Sequence, residues 1–268
     1  MSDTWNAKTY SQFLDLRTRP ARDLLSAFPP NFQPKIIYDL GCGPGNSTIL
    51  LKNRWPNAEV VGTDSSVDML TEAKKTYPDI EFIEQDIANF SPQEKNKNLD
   101  CLFSNAALQW LGDHENLFPT LLKTISPNGM FGFQMPNNWH LPSHQTTVEL
   151  LQNNSHWTSL LKTLRYGILD KPFYDLKKYY DLLIKSGAKE IQLWQTEYFQ
   201  EMDNHQAIFD WVKGTGLRPV LLEMDAENQQ KFEQEYVNAI AAKYPKQANG
   251  KILLVYNRLF MVGKIARD

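Results

Sequence analysis

The sequence predicts an α/β fold, a seven-stranded and mostly parallel sheet with helices on both faces and a helical cap. Three observations predict it. Short β-rich stretches alternate with amphipathic ones through the first half, and a glycine cluster separates the first strand from the helix after it. Past Gln134 the pattern turns to aromatic-rich helical sequence interrupted by two late strands. Parallel neighbours require right-handed crossovers, which set helices on the faces of the sheet. Ligands of such sheets sit at the carboxyl ends of the strands.

The elements follow in order. Lys35 to Leu40 is short, apolar and partly β-branched, as a buried parallel strand requires. Asn46, Ser47 and Thr48 offer N-cap chemistry for the next helix, Ile49, Leu50 and Leu51 give it an apolar face, and Pro56 closes it after Trp55. Ala58 to Gly62 reads as the second strand. Ser65 or Ser66 then caps a helix whose buried stripe is Val67, Leu70 and Ala73 and which ends near Pro78. Ile80 to Ile83 and Leu99 to Ser104 are the third and fourth strands, Phe118 to Ile125 is helical, and Gly129 to Gln134 is the fifth strand after the turn Pro127-Asn128-Gly129. Glu190 to Tyr198 and Lys251 to Ile265 complete the sheet, with helical sequence from Asn204 to Tyr244 between them. The expected organisation is an N-terminal helical segment or lid at 1–34, a core at 35–136, cap helices at 137–188, a core strand at 189–202, further cap helices at 203–250 and a final core strand at 251–268.

Length and composition narrow the function. At 268 residues the chain is nearly twice the ~150 residues usual for one domain, and 42% hydrophobic with 22% charged residues is an ordinary globular balance. Lys plus Arg number 28 against 31 Asp plus Glu, a net charge of -3, so no broad positive field awaits a nucleic-acid backbone. The first residues lack a basic region followed by an apolar stretch, and no apolar run reaches bilayer length, so a cytoplasmic protein without membrane contact is expected. Cys42 and Cys101 are too few for a disulfide framework and read as free thiols. The stretch from Met135 to His144 is the nearest approach to a linker.

The chemistry concentrates around Asp39-Leu40-Gly41-Cys42-Gly43-Pro44-Gly45, which follows a strand and opens a helix. Glycines there permit positive φ and close approach of a ligand, while the helix N-terminus offers unpaired amides. Asp64 ends the second strand, 19 residues beyond Gly45, where a carboxylate can accept both hydroxyls of a ribose; its alternative role is to cap the next helix. Asp86, past the third strand, is placed for an adenine edge or simply ends its strand. A dinucleotide fingerprint is the rival reading, but that pattern is G-x-G-x-x-G and this one is G-x-G-x-G.

A leading acidic residue before compact glycines resembles motif I of S-adenosylmethionine-dependent methyltransferases. Further motifs make the resemblance narrower: Trp5-Asn6 with Tyr10, the R-x-R-P of Arg17 to Pro20, DLGCGPGNST from Asp39, Arg54-Trp55-Pro56, Asp64-Ser65-Ser66, NAALQW from Asn105, QMPNNW from Gln134, HQAIFDWVKGTGLRP from His205 and NGKILLVYNRLF from Asn249. Over almost its whole length the chain resembles the trans-aconitate 2-methyltransferase family. It departs from that pattern at Asn137, usually aspartate, at Asn257, often proline, and through residues 145–171.

The resemblance implies a Rossmann-like class I methyltransferase fold, S-adenosylmethionine as cofactor with S-adenosylhomocysteine as product, and monomethyl ester formation on trans-aconitate. It implies cofactor contacts from Tyr10, Asp39, Gly41, Gly43, Gly45, Asp64, Ser65, Met69, Asp86, Ile87, Asn105, Ala106 and Gln109. Met69 and Trp110 can instead be core residues. Arginine pairs with carboxylates better than lysine does, so Arg19, Arg218 and Arg258, with Trp110, Trp139 and Tyr256 as walls, are the expected substrate contacts; Arg17 lies in the same motif as Arg19. Each arginine alone would most often be a surface ion-pair partner.

An ionised carboxylate needs no general base, so no catalytic acid or base is expected. No metal is expected either: His140 and His144 are four apart, but Pro142 interrupts the helix that would align them. His114 and His205 read as structural. The expected partner is a small di- or tricarboxylate, with no nucleic acid and a monomeric protein. The alternatives are methylation of another small acid, of RNA or of protein, and a cofactor-binding regulatory module without turnover.

Overall fold

The computed structural model describes residues 14–93, 99–164, 175–214 and 216–266, with the side chains of 14–17 left out of the description. Seven strands form one sheet in the order β3-β2-β1-β4-β5-β7-β6. They are β1 (Ile36–Leu40), β2 (Glu59–Asp64), β3 (Glu81–Glu84), β4 (Leu99–Asn105), β5 (Ile125–Pro136), β6 (Ala188–Met202) and β7 (Ile252–Ile265). The pairs β1–β2, β2–β3, β1–β4 and β4–β5 are all parallel. The chain runs outward through β2 and β3 and then returns to β4 beside β1, so the order reverses between β1 and β4, where open α/β sheets bind ligands. In the last two strands Trp194 stacks on Phe260 and Tyr198 on Tyr256, so residue numbers fall in one strand as they rise in the other and the pair runs antiparallel.

The described residues fall into two compact units. The first lies within Leu14–Pro136, Tyr174–Gln195 and Leu259–Asp268, the second within Asn137–Phe173 and Thr196–Arg258. In the first, the Leu14–Ser26 helix lies on one face of the sheet, because Gly132 of β5 leaves room for the Phe28 ring after it. Phe28 also meets Trp55 edge-on, and the Arg54 guanidinium donates to the Leu25 and Phe28 carbonyls at 2.6 and 2.8 Å. The Leu25 carbonyl also accepts from the Phe28 amide at 3.2 Å, so the guanidinium reinforces the turn that ends the helix. On the opposite face Phe118 of the His114–Lys123 helix meets Phe133 edge-on and packs on Tyr179 of the Leu176–Lys185 helix. Among the described residues no helix is long and apolar enough to cross a membrane.

Several local expectations are corrected. Asn46, Ser47 and Thr48 do not cap the Asn46–Arg54 helix: its N-cap is Gly45 in the left-handed region, and the Ser47 and Thr48 hydroxyls turn to Asp39. Of the two serines expected as the cap of the Val67–Thr76 helix, Ser66 is the one that caps it, as expected. Val67 is 57% exposed, since it stands in the first turn, beyond the point where β2 ends, and only Leu70 and Ala73 reach the core. The helix expected at Phe118 to Ile125 begins at His114, and Ile125 already pairs with Leu99 in the sheet. The turn at Pro127-Asn128-Gly129 is an irregularity inside β5, with Asn128 at φ 65 and a register shift between Leu99 and Cys101. Pro142 starts the Pro142–Asn153 helix, a position where its missing N–H costs nothing. Cys42 and Cys101 are buried and unpaired.

Candidate active site

The glycine loop leaves β1 at Leu40 and is tied to β2 by a bond from the Cys42 amide to the Thr63 carbonyl at 2.9 Å. Gly41, Gly43 and Gly45 all have positive φ. At Gly45, φ is 91° and a Cβ would come within 2.9 Å of the Tyr77 ring, so glycine is required by backbone and packing together. Gly43, at φ 54°, has no atom within 4 Å of a built Cβ; there the backbone faces open space, as close approach of a ligand requires.

Asp39 lies buried beneath this loop. Its Oδ2 accepts from the Ser47 and Thr48 hydroxyls, each at 2.7 Å, while Oδ1 has no hydrogen-bond partner. Burial raises its pKa to about 7, the two hydroxyls oppose this in part, and the charge of Asp64 adds to it. A cation at this place would relieve both the burial and the repulsion. Asp64, half-buried at the end of β2, accepts from the Gly43 amide through Oδ2 and from the Ser66 amide through Oδ1, both at 2.9 Å. Each oxygen keeps a lone pair for a hydroxyl donor. The carboxylate therefore braces the loop and leaves the capping of the helix to Ser66.

The neighbouring positions separate by exposure. Ser65 is exposed, and Met69 is partly exposed, beside the buried stripe of its helix and not in it. Asp86 is exposed and caps the Ile87–Asn89 turn by accepting from the Ala88 amide at 2.9 Å. Ile87 is buried with its Cδ1 3.3 Å from where a Cβ on Gly41 would stand, so it belongs to the loop's surroundings.

At the end of β4, Asn105 is followed by Ala106 in the left-handed region at φ 55, a conformation unusual for alanine. Two bonds hold it: the Ala106 amide donates to the Gln134 carbonyl at 3.0 Å, and Gln109 Nε2 donates to the Ala106 carbonyl at 2.6 Å. Asn105 Oδ1 and Gln109 Oε1 are buried without a partner. Trp110 is 37% exposed, which settles its alternative against the core. His114 Nε2 is 3.0 Å from the Leu108 carbonyl, so it carries the proton, and Nδ1 accepts from the Tyr179 hydroxyl at 2.7 Å. That imidazole, whose pKa burial lowers, anchors the Leu108–Trp110 turn.

The loop glycines, Asp39, Asp64 and Ile87 thus come together around one loop, with Asn105, Ala106 and Gln109 at the end of β4. The set fits a cofactor having an ammonium and a ribose: an unpaired buried carboxylate oxygen for the cation, spare acceptors on Asp64 for the hydroxyls, and an open backbone at Gly43. Tyr10 lies outside the described residues. Arg19 is exposed on the Leu14–Ser26 helix of the first unit, whereas Arg218 and Arg258 belong to the second.

The second unit has its own polar cluster. Arg258, 9% exposed, lies over the Tyr256 ring at 5.4 Å, and Tyr256 is buried between Tyr198 and Trp211. His144 is half-buried, meets Trp139 edge-on, and lies 3.4 Å from where a Cβ on Gly216 would stand, two residues before Arg218. Burial first, then the Arg258 and His140 charges, push its pKa down to about 4, so it is neutral near pH 7. Asn257 and His140 are in contact at 3.2 Å, and the Asn257 amide donates to Asn138 Oδ1 at 2.6 Å. Asn137 and Asn257, the two departures from the family pattern, are joined by a backbone hydrogen bond at 2.9 Å.

In the sequence His140 and His144 read only as a metal pair, and Gln134, whose buried amide has no partner, is not among the expected site residues. The presence of Gln134 in the QMPNNW motif was the available signal.

Residues 37–129 match a family model described as a methyltransferase domain. Among solved structures, phosphoethanolamine N-methyltransferase 2 of Haemonchus contortus aligns with a TM-score of 0.56 at 14% identity, over 93% of this chain; the chain spans 53% of that longer one. A SAM dependent methyltransferase from Archaeoglobus fulgidus aligns with a TM-score of 0.54 at 14% identity, over 97% of this chain and 100% of its own. Both likenesses speak to the fold. The trans-aconitate 2-methyltransferase of Klebsiella pneumoniae (strain 342) is 42% identical over 263 residues, 97% of each chain, and that of Escherichia coli (strain K12 / DH10B) is 42% identical over 98% of this chain and 99% of its own. With relatives of that identity aligned through both compact units, the chain belongs to the trans-aconitate 2-methyltransferase family.

Proposed function

We propose that this protein transfers the methyl group of S-adenosylmethionine to a carboxylate of trans-aconitate, giving a monomethyl ester. The observation that carries this reading is identity of 42% extending over 97% of the chain, which takes in the arginine-bearing second unit as well as the glycine loop. When bound, S-adenosylmethionine supplies an electrophilic methyl: the carboxylate oxygen bonds to its carbon as the carbon–sulfur bond breaks, leaving ester and S-adenosylhomocysteine, with no proton transferred.

The chain's residues hold and orient. Asp39 receives the ammonium end of the cofactor, directly or through water, Asp64 the ribose hydroxyls, and Ser65, Met69 and Asp86 the adenine side. Arg218 and Arg258 hold carboxylates that do not react, because a guanidinium on the attacking oxygen would neutralise the nucleophile. Trp110, Trp139 and Tyr256 exclude water, Arg19 is a further contact of the acid, and Tyr10 a contact of the cofactor. Bringing acid and methyl into alignment is the larger share of the work. No nucleic-acid partner is involved, and the protein acts as a monomer in the cytoplasm.

The test is methyl transfer to a panel of small carboxylic acids, with the ester identified by mass spectrometry and the particle mass by light scattering. Trans-aconitate is expected to be the best acceptor, and Arg218→Ala and Arg258→Ala to lower its kcat/KM by about 100-fold or more, as loss of a charge-assisted bond implies. Unchanged activity in both variants would overturn the arginine assignment; transfer to RNA or protein but to no acid would overturn the substrate.

A further inference from the structure

Gln134 lies two residues before the end of β5 with a side chain that is wholly buried, and neither its Nε2 nor its Oε1 has a hydrogen-bond partner. Leaving such a group unpaired in the interior is unfavourable if nothing ever meets it. Its surroundings place it at the site. Asn105 and Gln134 are register partners across β4 and β5, and the Gln134 carbonyl holds Ala106.

Side chains two residues apart in a strand share a face. Gly132 faces Phe28, and Phe103 packs on the same ring at 6.3 Å, so Gln134 and Asn105 point to the side of the sheet covered by the Leu14–Ser26 helix. Asp39 lies on that side too, since it is bonded to the Asn46–Arg54 helix, which Arg54 ties to the end of the Leu14–Ser26 helix. Three neighbouring strands thus carry unpaired buried polar atoms on one face at one edge: Asp39 Oδ1, Asn105 Oδ1 and the Gln134 amide.

The chemistry changes along this row. Asp39 is acidic and suits a cation. Gln134, two strands away or about 10 Å across the sheet, is neutral and can donate. We propose that Gln134 binds the carboxylate that becomes methylated, with Nε2 donating to the oxygen that does not attack. This rests on the methyltransferase reading above and names a residue for its acceptor. A neutral amide orients the nucleophile without cancelling its charge, which an arginine there would do. Oε1 remains as an acceptor for a donor arriving with the ligands.

The experiment compares Gln134→Leu and Gln134→Glu with the unaltered protein. Binding of S-adenosylmethionine, and of trans-aconitate in the presence of S-adenosylhomocysteine, is followed by calorimetry beside turnover and a pH profile. Gln134→Leu is expected to bind the cofactor within about threefold of normal but to lose about 100-fold in kcat/KM, the effect typical of removing one well-placed donor, and to bind the acid more weakly. Gln134→Glu is expected to fail at pH 8 and recover as the pH falls, because only the protonated carboxyl can donate; a merely structural residue would show no such inverted profile. If Gln134→Leu is unstable, the Gln134→Glu profile decides. Normal acid binding and turnover in Gln134→Leu, weakened cofactor binding alone, or a Gln134→Glu profile parallel to the unaltered protein would each overturn the proposal. An unaltered protein that methylates no acid would instead sink the substrate reading.

Discussion

The Asp64 carboxylate accepts a hydrogen bond from the Gly43 amide at 2.9 Å, so the end of β2 holds the open turn of the glycine loop in place. Its other oxygen accepts from Ser66, at the start of the next helix. One side chain therefore fixes the loop and presents acceptors beside it. Asp64→Ala is expected to weaken S-adenosylmethionine binding by about 100-fold, or about 2.7 kcal/mol, with a loss of about 1–3 kcal/mol in stability from the two bonds. Calorimetry and denaturant unfolding measure the two effects separately, and an unchanged dissociation constant would remove Asp64 from the cofactor site.

Two glycines of the same loop should respond differently to one extra methyl group. Gly45→Ala places Cβ against the Tyr77 ring at a positive φ, and a stability loss of about 1–3 kcal/mol is expected. Gly43→Ala meets no protein atom, so it should cost no more than about 1 kcal/mol of stability while weakening cofactor binding by tenfold or more, about 1.4 kcal/mol. Thermal melts paired with calorimetry test the contrast; equal stability losses would contradict it.

Burial holds Asp39 protonated up to about pH 7, against an ordinary value of 3.8. Between those values the folded state binds more protons at this site than the unfolded state, so its contribution to stability falls as the pH rises from 4 to 7 and then levels. Asp39→Asn should remove that slope, seen as a melting-temperature difference from the unaltered protein that changes sign or size across this range. A cationic cofactor favours the ionised carboxylate, so S-adenosylmethionine affinity should rise as the pH passes through about 7, and this rise should vanish in Asp39→Asn.

His144 is held down to about 4 by burial first and by the Arg258 charge second. Arg258→Met should therefore raise the His144 pKa while leaving it below 6.5, since burial remains. Imidazole resonances followed by NMR from pH 3 to 8 report this directly. An unmoved titration would mean that the guanidinium and the imidazole do not sense each other.

Much of the first unit was readable in the sequence because its signals are local. A run such as Ile36-Ile37-Tyr38 specifies a buried strand by its own composition, and a strand, a glycine turn and a helix within a dozen residues specify a ligand loop. Where the reading failed, the cause was a partner remote in sequence or position. Ser47 and Thr48 had the composition of caps, yet their hydroxyls found Asp39, an acceptor buried beneath them. Val67 fitted the apolar stripe of its helix and still faces solvent, because the strand it would cover ends at Asp64.

The sequence by itself determined the alternating sheet, the glycine loop with its two acidic partners and the family resemblance, all of which rest on residues close along the chain. Only the tertiary structure decided that Gln134 stands in register with Asn105, that the Arg258 charge acts on His144, and that Arg19 belongs to a different unit from Arg218 and Arg258. Burial and unmet hydrogen bonds depend on what the rest of the chain brings near a side chain, and spacing along the sequence does not encode that.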